Sequence, residues 1–241
     1  MNSSLAEVQD KPSQSLNVLQ LTRAIDRYNQ ELESHPIVKL AKEGWLPRPL
    51  LQEFTKIQFV DSVLWIPMLS LIKGRIKEPR LLKAVTDNIL CESGYNGIPH
   101  TTLCAQFAQS VGVSAFYGDS QTYSPLSMHS IEMMNAVMGM SEAEICGWLL
   151  AAESLVPTLF QIFKPAFEKF PGADLTYLNE HISVDSDDHA QWMMEGAVAI
   201  LENSKNQSQA LAEILAGIGL GGRVTLCIPD VLYSKALRLG H

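Results

Sequence analysis

His181, Asp185 and His189 recur at four-residue intervals in a stretch that also carries Asp187 and Asp188. Successive residues of an α-helix turn by about 100°. Asp185 therefore lies about 40° round from His181, and His189 about 80° round, so all three project from one face. Two imidazoles and a carboxylate on a common face are a donor set for iron, manganese or zinc. The competing interpretation is a solvated acidic helix start with two incidental histidines. Which one holds depends on whether other segments supply partners.

Two segments do. Glu92 follows Ile89, Leu90 and Cys91, so it cannot lie far from a buried face. A carboxylate buried alone costs several kcal/mol, so it demands a partner. Gly94, Gly97 and Pro99 then bend the chain so that His100 can approach the same centre. Glu153 is the only charge between Glu144 and Lys164. An acid in so apolar a helix is either paired or ligating. Other features offer less. His129 sits among methionines and reads as a packed or surface residue. Cys104 and Cys227 have no base nearby in sequence. The glycines from 217 to 222 lack the lysine and strand context of a phosphate loop.

The elements that must hold these residues are helical. Apolar residues recur at helical intervals from Ser15 to about Ser34. Pro36 opens a short helix that Gly44 caps, and a long apolar helix is expected from about 49 to 73, kinked at Pro67. Further helices are expected over 78–93, 100–111 and 124–138, with a loop at 112–123. Ser141 and Glu144 form a capping box for a helix running to about Phe170. Asp174 caps the helix of the opening motif, which continues to about Leu201. A last helical region covers 206–237, its middle loosened by Gly217, Gly219, Gly221 and Gly222 and broken at Pro229. Strand-like alternation is essentially missing. The expectation is an all-α, single-domain bundle of seven to nine helices over residues 15–241, after a flexible tail of residues 1–14.

The 241 residues are 46% apolar and only 18% charged, with a net charge of −8, which suits a buried core. No basic patch offers itself to nucleic acid, and no basic amphipathic segment to a membrane surface. Pro, Lys or Glu interrupts the apolar runs before the roughly 20 residues that span a bilayer, so no membrane segment is expected. The cysteines at 91, 104, 146 and 227 form no C-x-x-C pair. Together with the absence of a signal-like start, they point to reduced thiols and a cytoplasmic location.

In order and spacing, several stretches resemble the haem-oxygenase-like diiron oxidase superfamily, and within it the CADD-like proteins, which share their fold with the TenA and PqqC families. These stretches are His35-Pro36 through Gly44, Glu92 and Gly94 leading to His100, Ala151 through Pro157, and Tyr177 through His181 to Asp185. The resemblance implies a haem-oxygenase-like helical bundle and two irons per chain, which manganese or zinc could replace on purification. It implies six ligands: Glu92, His100, Glu153, His181, Asp185 and His189. The family pattern His-x-x-x-Asp-x-x-His places its last histidine at 188, where this chain has Asp. Either Asp188 takes the histidine's place, or a π-bulge absorbs one residue and His189 ligates; the second is preferred. Ile37 and Val38 stand where the members that consume one of their own tyrosines carry that tyrosine, which argues against such chemistry here.

The implied activity is an O₂-dependent oxidase or oxygenase acting on a small, partly apolar carboxylate- or amine-bearing metabolite. Its partners would be that substrate and O₂, with no nucleic acid and no membrane, and a homodimer by analogy with related folds. The alternatives are a metal-free TenA- or PqqC-like enzyme and a non-enzymatic helical interaction protein.

Overall fold

The computed structural model describes residues 12–95, 97–113, 132–133, 135–184 and 189–240. Nine helices account for most of them, and no strand occurs among the described residues. They are α1 (Pro12–Ser34), α2 (Pro36–Glu43), α3 (Arg48–Lys73), α4 (Pro79–Glu92), α5 (His100–Ser110), α6 (Glu142–Glu168), α7 (Thr176–Val184), α8 (Ala190–Asn203) and α9 (Gln207–Arg238). The all-α expectation is met. Helix α1 takes in residues 12–14, so it begins earlier than the sequence pattern suggests. The loop expected at 112–123 and the helix expected at 124–138 fall largely outside the described residues, as does His129.

The local signals act as the sequence implies. The His35 imidazole accepts the Ile37 amide at 3.2 Å, ahead of Pro36 in the first turn of α2. Gly44 ends α2 at a φ of 71°. At the start of α6 the Ser141 hydroxyl accepts the Glu144 amide at 3.2 Å, and the Glu144 carboxylate accepts the Ser141 amide at 2.7 Å. This reciprocal pair satisfies two donors that a helix start otherwise leaves open.

Helix α6 is the axis of the bundle. It packs against α9 above all, and also against α1, α2, α7 and α8. Phe54 of α3 stacks on Phe163 of α6 with ring centres 4.3 Å apart. Phe107 of α5 meets Phe167 of α6 and Tyr177 of α7, at 4.9 and 5.9 Å. These rings fix the four helices around the place where the candidate ligands converge.

The expected loosening of the last helical region is not found. Helix α9 runs without interruption through Gly217, Gly219, Gly221, Gly222 and Pro229. Two of its contacts show why. A Cβ on Gly217 would come within 2.0 Å of the Glu144 carbonyl oxygen, and one on Gly147 within 1.9 Å of the Ile214 carbonyl oxygen. The glycines let the backbones of α6 and α9 touch. The packing so gained offsets the roughly 1 kcal/mol of helix propensity that each glycine costs.

The interruptions in the apolar runs also prove fewer than expected. By length and composition, Arg48–Lys73, Glu142–Glu168 and Gln207–Arg238 are each long and apolar enough to cross a membrane. In this fold Glu142–Glu168 is the most deeply buried of the three, and all three contribute core side chains.

Candidate metal centre

Glu92, His100, Glu153, His181 and His189 are all buried, none more than 7% exposed. Among the described residues no other Asp, Glu, His, Lys or Arg is buried to that degree. Helices that meet only in the fold supply them: α4 ends with Glu92, α5 begins with His100, α6 carries Glu153, α7 carries His181, and His189 precedes α8. Asp185 and its alternative Asp188 lie outside the described residues.

Gly94 makes the first approach. Its φ is 73°, and a Cβ there would meet the Pro99 nitrogen at 2.4 Å. The tight turn between α4 and α5 therefore needs glycine. It brings His100 Nδ1 to 3.1 Å from Glu92 Oε2. His181 completes the cluster. One donor atom from each of Glu92, His100 and His181 lies within 4.8 Å of the others. His181 Nδ1 donates to the Tyr177 carbonyl at 2.9 Å, which leaves Nε2 with the lone pair. A backbone carbonyl behind a ligating histidine fixes its tautomer and orientation in this way. The rings of Tyr177 and Phe160 hold the imidazole at 4.4 and 5.5 Å.

The second pair stands beside the first. His189 Nδ1 lies 3.3 Å from Glu153 Oε2, and Asn88 Nδ2 donates to Glu153 Oε1 at 2.6 Å. Asn88 sits one helical turn before Glu92 on α4. Cys91 stands between the two pairs electrostatically, because both His100 and His189 act on its thiol. His189 itself lies in a π-helical turn.

Electrostatics bind the group together. Burial works against a charged His100, but the Cys91 thiol and the Glu92 carboxylate outweigh it and raise the imidazole pKa to about 10. The same two histidines pull the Cys91 thiol below its ordinary value. Burial pushes the Cys104 and Cys146 thiols well up, which makes both poor nucleophiles.

The donor set fits a metal. Carboxylates and imidazoles suit iron, manganese and zinc. The buried His100 Nδ1 makes no aligned hydrogen bond despite its 3.1 Å approach to Glu92. The two groups are thus placed to share a third partner, and a cation between them would offset the cost of burying the Glu92 carboxylate.

A cavity of about 160 Å³ opens against this cluster, and Glu92, Glu153 and His181 form part of its wall. Most of the remainder is apolar, including Trp65, Met68, Trp148 and Phe160. Sequence reasoning found the acids and histidines but missed Asn88, Cys91 and Tyr177. Tyr177 stood in the motif without a role, and the other two carry no charge to betray them. It also missed Asp61, a cavity-lining residue on α3.

The chain is similar to a CADD-like protein of unknown function from Nostoc punctiforme. One crystal structure of it matches with 15% identity and a TM-score of 0.66 over 90% of this chain and 99% of that one. A second matches with 15% identity and a TM-score of 0.67 over 92% and 98%. A TenA homologue from Pseudomonas syringae pv. tomato matches with 12% identity and a TM-score of 0.73 over 97% of this chain and 98% of that one. At these identities the likeness concerns the fold. No curated protein matches the chain. The family model described as an iron-containing redox enzyme matches residues 52–222, and the chain belongs to that family.

Proposed function

We propose that this protein is a non-haem diiron oxidase or oxygenase that uses O₂ on a small, partly apolar metabolite. The observation that carries the reading is that the five deeply buried acids and histidines among the described residues pair up as Glu92 with His100 and Glu153 with His189, with His181 beside the first pair, and that Glu92, Glu153 and His181 line one cavity. Glu92, His100 and His181 would hold one iron, and Glu153 and His189 the other. Asp185 joins them as the sixth ligand by the sequence resemblance. Iron bound there supplies the redox chemistry that activates O₂.

The chain's own residues do the rest. Tyr177 keeps the His181 lone pair aimed at the centre through its carbonyl. Asn88 orients the Glu153 carboxylate. Trp65, Trp148 and Phe160 keep water away from the reacting face and pack the substrate's apolar part. The test is to load the protein with Fe(II) without oxygen and then admit O₂. A transient visible absorption band, with O₂ uptake faster than free Fe(II) gives in the same buffer, is expected of the wild type and not of Glu92→Gln. Uptake no faster than free Fe(II) would sink the reading.

A further inference from the structure

Helix α3 carries an uncharged polar strip that the metal cluster does not use. Gln58 and Ser62 stand four residues apart, so they share one helical face, and Trp65 continues it. All three line the cavity. Both polar residues are buried, Gln58 at 5% exposed and Ser62 at 7%. A hydroxyl inside a helix commonly bonds to the carbonyl four residues back. The two other buried aliphatic hydroxyls among the described residues do so. Thr55 donates to the Leu51 carbonyl at 2.8 Å, and Thr225 to the Gly221 carbonyl at 3.0 Å. The Ser62 hydroxyl, by contrast, has no hydrogen-bond partner among the described residues. It acts on the buried Cys104 thiol, but sulfur is a weak acceptor and no hydrogen bond joins the two. Nor does a hydrogen bond tie the Gln58 carboxamide to another described residue. A buried polar group left unpaired costs stability that a ligand's hydrogen bond would return.

The rest of the cavity limits what that ligand is. The described lining residues include no Lys or Arg, so a carboxylate head would meet no cation on this wall. Asp61 also lines the cavity but has a partner of its own. What the strip offers is a carboxamide and a hydroxyl, each able to donate and to accept without carrying charge. An engineered apolar cavity of about 150 Å³ binds benzene, and this one measures about 160 Å³. Aromatic walls at Trp65, Trp148 and Phe160 suit a flat or short apolar body.

We propose that Gln58 and Ser62 form the head-group subsite of this cavity, and that the substrate is a ring-sized apolar molecule ending in an uncharged group that both donates and accepts hydrogen bonds, a hydroxyl or a primary amide. This rests on the cavity being the reaction chamber of the proposed oxidase, and it names the polar head that the chamber takes.

Five probes test it at neutral pH in protein incubated with Fe(II) without oxygen: toluene, benzyl alcohol, benzamide, benzoate and benzylamine. Trp65 and Trp148 report binding through their fluorescence, and calorimetry checks it. A purely apolar cavity prefers toluene, because a polar head gives up its water and regains nothing. Here benzyl alcohol and benzamide are expected to bind at least as tightly as toluene, and benzoate and benzylammonium less tightly than either. Ser62→Ala and Gln58→Met should each weaken the tighter of the two neutral polar probes by roughly three- to tenfold, the weight of one neutral hydrogen bond, and leave toluene unchanged. Ser62→Ala should also unfold at the same or a higher urea concentration than the wild type, since it removes a buried hydroxyl that has no partner. A lower midpoint would mean that the fold already uses the hydroxyl, and would overturn the proposal. So would toluene or a charged probe outbinding both neutral polar probes, or full affinity for them in both variants. Should Gln58→Met lose toluene as well, its cavity has been reshaped and Ser62→Ala decides. A protein that takes up iron and consumes O₂ but prefers toluene would refute the subsite and leave the oxidase. One that shows the neutral-head preference but takes up no iron would sustain the subsite and refute the oxidase.

Discussion

Glu92 and Glu153 show what single residues disclose in a sequence. Each is an acid set among apolar helical neighbours, and such an acid must meet a partner when the helix packs. Both are buried against a histidine. The histidines follow the same logic once the acids are located. Asn88 was not legible in this way. It is neutral, and its position on α4 matters only because α4 lies beside Glu153 of α6 in the fold. Outer partners of ligands commonly change metal affinity by about 10–100-fold. We expect Asn88→Ala to weaken Fe(II) binding within that range in a competition titration against a chelator, with the helical circular dichroism unchanged. Unaltered affinity would mean that Glu153 needs no orienting partner. Asp185 and Asp188 lie outside the described residues, and of the Asp188 and His189 alternatives only His189 is described, standing against Glu153.

At the scale of elements, helix identity and most caps were legible because they depend on residues close in sequence. The capping box at Ser141 and the proline-led α2 are examples. The glycines of α9 were misread because their effect depends on what they face. Propensity alone treats Gly217 and Gly219 alike, whereas the structure separates them. A Cβ on Gly217 runs into the backbone of α6, while one on Gly219 meets nothing nearer than 3.4 Å. We expect Gly217→Ala to destabilise the protein by about 1–3 kcal/mol, the usual cost of overpacking. Gly219→Ala should be neutral or stabilising by up to about 1 kcal/mol. Urea unfolding of the two variants checks this. Equal effects would mean that the close approach of α6 and α9 is not what keeps α9 continuous.

For the whole molecule, composition pointed to a buried core and apolar periodicity to helices, and the fold delivers both. Composition could not indicate that α4, α5, α6, α7 and the segment before α8 bring their buried acids and histidines together. Nor could it show the cavity beside them, because Trp65 of α3 and Trp148 of α6 are far apart in sequence and meet only in the bundle, 5.6 Å apart. The central claim is that this convergence is a two-iron site, and its most direct test is a metal count. Protein incubated with Fe(II) without oxygen and then desalted should retain close to two irons per chain by elemental analysis. His181→Ala and Glu153→Gln should each retain markedly less. A wild type that retains no iron, or a His181→Ala protein that retains just as much, would contradict the account.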